Sequence, residues 1–337
     1  MSRRYLVVGP AWVGDMVMAQ ALFRRLRQDD GACVIDVLAP GWSAPILARM
    51  PEVRRAIPLP AGHGEFAFRR RRALGRSLRG SSFDHAIVLR NSWKSALVPY
   101  FARIPRRTGY AREFRYGLLN DLRRLDPRIL KTTVARFVAL AEDREPSESP
   151  TIPAPRLVAD SVNAQALREK LGLPTLRAVA LMPGAEYGPA KRWPAEHFAS
   201  LAKAMARDGI RSWVFGSQKE HALGEHIAQE SEGAAINLCG RTGLGDVVDL
   251  LSSCWAAVTN DSGLMHVAAA SGTPVVALFG SSSPDFTPPL TARRRIHYLR
   301  LDCSPCFQRV CPFGHTNCLR LIDPASVRES VRGLAGI

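Results

Sequence analysis

The feature that most constrains this chain is an alternation of short apolar runs with amphipathic stretches, carried through twice. In the first half, residues 5–9, 33–38, 55–59 and 84–90 read as strands, and residues 15–27, 66–78 and 93–101 as helices. Met18, Leu22 and Leu26, flanked by Ala19 and Phe23, make one helical stripe. Strands that alternate with helices predict a parallel sheet covered on both faces. Residues 142–156 then bring four prolines and no periodic apolar face, which marks a linker. After it the alternation restarts. Strands are read at 178–182, 212–216, 235–238, 256–259 and 274–279, and helices at 195–207, 221–229, 245–253 and 262–270. The expected organisation is an α/β chain of two doubly wound domains, residues 1–150 and 157–322, followed by a last helix at 324–334. A ligand cleft is expected between the two domains.

Charge separates the halves. Of 46 basic and 30 acidic residues, residues 1–150 hold 27 and 14, which leaves 19 and 16 for the rest. Nearly all of the net +16 therefore belongs to the first half, where Arg69, Arg70, Arg71 and Arg72 form a run. Such a half suits an anionic partner: nucleic acid, a membrane surface or a phosphorylated substrate. An arginine-rich composition without function is the plainer alternative. No apolar run approaches the roughly eighteen residues of a membrane span. The start imitates a secretion signal, basic and then apolar, but Asp15 interrupts it and the helical stripe continues past the small residues at 19–21. A cytoplasmic protein is expected, in keeping with seven cysteines, an odd number.

Ligands of open parallel sheets bind beyond the carboxyl ends of the strands, and three loops there carry chemistry. Gly9-Pro-Ala-Trp-Val-Gly-Asp15 fits neither G-x-G-x-x-G nor a P-loop. Asp15 at a helix start is either a plain dipole-stabilised carboxylate or a general base, and the dipole is expected to depress its pKa. The loop at 182–194 ends in Lys191-Arg192-Trp193-Pro194, two cations at a helix entrance suited to a diphosphate, or else solvated charges. The loop at 259–266 offers Asn260, Asp261 and Ser262 as helix caps, with Ser262 and His266 on one helical face. A fourth feature, Cys303-x2-Cys306-x4-Cys311-x3-His315-x2-Cys318, suits a structural zinc chemically, but also a conditional disulfide or free buried thiols.

These blocks together resemble the lipopolysaccharide heptosyltransferase family. The resemblance runs through the loop at 9–22, Asn91-Ser-Trp-Lys-Ser-Ala-Leu-Val-Pro, Arg107-Thr-Gly-Tyr, and Arg115-Tyr-Gly-Leu-Leu-Asn-Asp. It continues through Pro183-Gly-Ala-Glu-Tyr-Gly-Pro-Ala-Lys-Arg-Trp-Pro, Asn260-Asp-Ser-Gly-Leu-Met-His and Ser282-Ser-Pro-Asp-Phe-Thr-Pro-Pro. It implies a GT-B glycosyltransferase, acceptor on the first domain and nucleotide sugar on the second, with the last helix packed back on the first. The implied reaction moves L-glycero-D-manno-heptose, with inversion, from ADP-heptose to the first heptose of heptosyl-Kdo2-lipid A. By resemblance Asp15 is the base and Lys191 the diphosphate-neutralising lysine. Arg192, Thr242, Leu244, Asp261, Ser262, Gly263 and His266 fall to the nucleotide sugar, and Ala11, Trp12, Asn91 and Lys94 to the acceptor. Ala11 stands where relatives often carry Ser. No cofactor is implied, no catalytic metal and no nucleic acid; peripheral contact with the inner face of the inner membrane is. The Gly-Pro-Ala-Trp-Val-Gly-Asp loop favours the branch that adds the second heptose over its sister activities.

Two other classes remain readable in the residues. A nicotinamide dehydrogenase would use Asp36 on the ribose, although G-x-G-x-x-G is missing. A nucleic-acid binder would use the arginine-rich helix at 66–79 and show strong salt dependence.

Overall fold

The computed structural model describes residues 2–62, 64–174 and 178–336. Met1, the first residue of the signal-like start, lies outside them. The chain divides into two compact units, Met1–Pro155 and Arg156–Ile337.

The first unit holds six parallel strands: β1 (Arg4–Val8), β2 (Val34–Ala39), β3 (Val53–Pro58), β4 (His85–Val88), β5 (Arg106–Tyr110) and β6 (Asp121–Arg123). Their spatial order is β3-β2-β1-β4-β5-β6. The second unit holds β7 (Ala178–Met182), β8 (Ser212–Val214), β9 (Ala235–Asn237), β10 (Cys254–Asn260), β11 (Val275–Phe279) and β12 (Arg294–Tyr298). Their order, β12-β11-β10-β7-β8-β9, is the same winding read from the opposite edge. Both are the order of a dinucleotide-binding sheet, 3-2-1-4-5-6.

The apolar runs became strands because both sheet faces are covered. Leu6, Val8, Ala86 and Val88 pack with Leu38, Phe83 and Val98 in the first unit, and Val179, Leu181, Val258 and Val276 with Trp193, Phe198 and Met205 in the second. The first helix, Val13–Asp29, buries Met16, Met18, Leu22, Phe23 and Leu26. Gly9 lets the chain leave β1, since a Cβ there would crowd Met16 and Val37.

Three strands do not read as strands in sequence: β5, β6 and β12 carry Arg106-Arg107, Asp121 and Arg123, and Arg294-Arg295. β6 and β12 are edge strands and β5 lies beside an edge; Arg294 and Arg295 are exposed, and the charges of β5 and β6 find partners. Arg106 bonds Asp121 at 3.0 Å, Arg123 bonds Asp121 at 2.6 Å, and Arg107 donates to the carbonyls of Leu118 and Ile104. Asp36, the acid a dehydrogenase would aim at ribose, is wholly buried, and both its oxygens are held by Arg54 and Arg55. It is a structural ion pair inside the sheet, which removes that reading.

The last helix, Pro324–Ala335, buries its apolar residues Val327 and Val331 in the core of the second unit. The Trp193 indole donates to the Ile322 carbonyl at 3.0 Å and Arg328 pairs with Asp208 at 2.6 Å, which seats the helix there. Among the described residues no helix is long and apolar enough to cross a membrane.

Candidate active site

Strand order reverses between β1 and β4 in the first unit and between β7 and β10 in the second. Loops leaving such neighbouring strands part to opposite sides and open a crevice at their carboxyl ends. Apart from Thr242, Leu244 and the cysteines, the residues singled out from sequence follow the strands at these two places.

In the first unit, Trp12 occupies the N-cap of helix Val13–Asp29 with its ring half exposed, beside a partly exposed Ala11. Asp15 lies in the first helical turn, and burial pushes its pKa up to about 6. The expected depression by the helix dipole does not hold. A dipole at a helix start supplies up to about 1 kcal/mol, whereas a rise of two pKa units is roughly 3 kcal/mol. Desolvation therefore wins, and the carboxylate becomes a stronger base than a solvated one. After β4, Asn91 is exposed, while the Lys94 ammonium donates to the carbonyls of Gly64 at 3.0 Å and Glu65 at 3.5 Å.

In the second unit a set of contacts ties the loop after β7 to the end of β10. Asn260 accepts from the Trp193 N–H at 3.0 Å and donates to the Pro183 carbonyl at 2.7 Å. That clamp brings Lys191 Nζ to 2.5 Å from Asp261 Oδ2, and the Ser282 hydroxyl donates to the same oxygen at 2.6 Å. Asp261 is therefore committed to Lys191 and is no helix cap. Ser262 does stand at the N-cap of helix Gly263–Ala270, with no side-chain capping bond. His266 is buried in the charge field of Asp261 and Lys191; burial pulls its pKa down to about 4, which keeps it neutral. Arg192 is exposed and makes only a long bond to the Ala185 carbonyl, 3.5 Å. Pro194 is the N-cap of helix Ala195–Arg207 rather than its first residue.

Thr242 and Leu244 stand apart from this constellation. They follow β9, two strands from β7, hence roughly 10 Å away across the sheet. Ser282 was not singled out by role in the sequence; the Ser-Ser-Pro block around it was the available signal.

The cysteine segment is linked to the same loop. Two cations lie over the Tyr187 ring, the Lys191 ammonium 5.1 Å from its centroid and the Arg309 guanidinium 5.3 Å away. Its hydroxyl donates to the Phe307 carbonyl at 2.8 Å, and the Ala190 N–H to the Arg309 carbonyl at 3.1 Å. Gly188 is required there, because a Cβ would overlap the Arg309 backbone. Cys303, Cys306, Cys311 and Cys318 are free thiols. Burial and the three neighbouring sulfurs push the Cys318 pKa up, while backbone N–H groups around the loop at 313–316 lower that of Cys311. Among the described residues no group of three His, Cys, Asp or Glu side chains is placed to hold a metal ion.

Two parallel α/β units of one winding make the GT-B type of architecture. Residues 71–317 match glycosyltransferase family 9 (heptosyltransferase). The chain is 48% identical to lipopolysaccharide heptosyltransferase 2 of Escherichia coli over 98% of both chains, and equally so to that of Salmonella typhimurium. With lipopolysaccharide heptosyltransferase 1 of Pseudomonas aeruginosa it shares 31% over 37% of its length. The solved E. coli ADP-heptose heptosyltransferase II superposes with a TM-score of 0.85 at 43% identity, over 98% of each chain. The chain belongs to glycosyltransferase family 9, the heptosyltransferases, and is an enzyme of that kind.

Proposed function

We propose that this enzyme moves L-glycero-D-manno-heptose from ADP-heptose to the first heptose of the lipopolysaccharide inner core, with inversion at the anomeric carbon. The likeness to heptosyltransferase 2 across 98% of both chains carries the reading, since likeness to a heptosyltransferase 1 spans only 37% of this one.

The chemistry is a single displacement. An acceptor hydroxyl oxygen forms a bond to C1 of the heptose. The bond from C1 to the diphosphate oxygen breaks, its electron pair leaves with ADP, and the hydroxyl proton passes to Asp15. A carboxylate with a pKa of about 6 is ionised at neutral pH and still basic enough to take a proton made acidic by bond formation. Lys191, held by Asp261, neutralises charge on the departing diphosphate, helped by Ser262 and Gly263 at the helix start. Neutral His266 and, more peripherally, Arg192 bind the same donor, and Thr242 and Leu244 meet adenine. Ala11, Trp12, Asn91 and Lys94 line the acceptor side. Fixed donors of this kind stabilise the leaving group without a metal.

Phe66, Phe68 and Trp93 expose 44%, 40% and 41% of their surface beside the exposed Arg69, Arg70 and Arg72. Aromatic and cationic side chains together favour an anionic membrane surface, which supports peripheral work on the cytoplasmic leaflet against heptosyl-Kdo2-lipid A. The test of mechanism is the product: NMR of the new glycosidic linkage should give the anomeric configuration opposite to that in ADP-heptose. A retained configuration would overturn the single displacement.

A further inference from the structure

The carboxyl end of β4 carries charge that nothing balances. The Arg90 guanidinium is half-buried, its pKa pulled down by burial, and among the described residues it has neither a hydrogen bond nor a carboxylate partner. A second cation feels its charge. Arg71, 3% exposed on helix Phe68–Ser77, is lowered by burial and by the charge of Arg90. Arg71 donates only to the carbonyls of Phe66 and Glu65, at 2.7 and 3.4 Å. Two residues beyond Arg90, the Ser92 hydroxyl is buried with no partner. Arg115, 1% exposed, donates to the Arg90 carbonyl at 2.6 Å, and its own Nε is also unpartnered.

The acids nearby are occupied. Glu65 accepts from Gly62 and pairs with Arg70, and Glu113 accepts from the Trp93 N–H at 3.0 Å. Elsewhere in this unit Arg54 and Arg55 share Asp36, and Arg106 and Arg123 share Asp121. A desolvated cation beside a second one is costly unless an anion completes the site.

We propose that Arg90, backed by Arg71 and Ser92, binds an anionic substituent of the acceptor saccharide, a phosphate monoester or a carboxylate. The inference rests on the reading that the acceptor is a lipopolysaccharide core. Guanidinium suits it because its fork meets either anion with two parallel hydrogen bonds.

The experiment uses the full chain with Arg90→Gln and Arg90→Lys. Arg90→Gln should raise the acceptor KM roughly 10- to 100-fold, the scale of a lost charged hydrogen bond, and leave the ADP-heptose KM unchanged. Arg90→Lys should restore part of the loss. A second readout needs no turnover: inorganic phosphate should raise the melting temperature of the wild type and raise that of Arg90→Gln less. The source is read from an acceptor treated with phosphatase. If phosphate is the group, treatment raises the wild-type KM and Arg90→Gln adds nothing further; if a carboxylate is, treatment is silent and Arg90→Gln keeps its effect. An acceptor KM within twofold of wild type, with an unchanged phosphate shift, overturns the site. Should the wild type transfer to no acceptor while Arg90→Gln still loses the phosphate shift, the functional reading fails and the anion site stands.

Discussion

Asp15→Asn separates two consequences of one burial. The Asp15 carboxyl rises from 3.8 to about 6 in the folded chain because burial disfavours its charge. Between those values the folded state holds the proton that the unfolded state has released. The native state therefore loses stability as pH rises through that window. About two units at 1.36 kcal/mol each gives roughly 3 kcal/mol, fully expressed above pH 6. Asparagine has the same shape without the charge. The substitution should therefore stabilise the protein by up to about 3 kcal/mol at pH 7.5 and by little at pH 4, while transfer falls by roughly 10²- to 10⁴-fold as the base is lost. Urea denaturation at the two pH values, with fluorescence following unfolding, measures the first effect, and ADP release the second. Equal stability changes at both pH values would refute the burial argument. A loss of transfer under tenfold would remove Asp15 from the base role.

Other perturbations reach different parts of the account. In the wild type, kcat/KM should rise with pH through about 6 and then level; an acid limb near 4 would place the base elsewhere. Lys191→Ala should weaken ADP-heptose binding by tenfold or more as well as slow transfer, measured by titration calorimetry with ADP. Gly188→Ala should raise the donor KM with little change in the acceptor KM, because a Cβ would force the Arg309 backbone away from the loop that holds Lys191. Val331→Ala should cost roughly 2 kcal/mol of stability in urea denaturation, since that side chain is wholly buried in the second unit.

The sequence disclosed the units with a clear period and missed what long-range partners decide. β1, β2 and β7 were legible because both faces of a parallel strand are apolar. β5 and β12 were not, since Arg106-Arg107 and Arg294-Arg295 deny the pattern that a strand at or near a sheet edge does not need. The site loops could be found from their glycines, prolines and charges at strand ends. The pairing of Lys191 with Asp261 spans seventy residues, and no local signal distinguishes it from a solvated lysine and a helix cap. Asp15 shows the same limit for energetics: position at a helix start gave the sign of the dipole effect, but burial set the sign of the shift. The last helix displayed an apolar face without showing which unit would receive Val327 and Val331.

The central claim is the transfer itself and the acceptor it selects. Purified enzyme would be given ADP-heptose with Kdo2-lipid A carrying no heptose, one heptose or two, and the products weighed by mass spectrometry. The account predicts one added heptose on the one-heptose acceptor alone. Addition to the heptose-free or two-heptose acceptor would contradict the assigned step, and no addition to any acceptor would contradict the function.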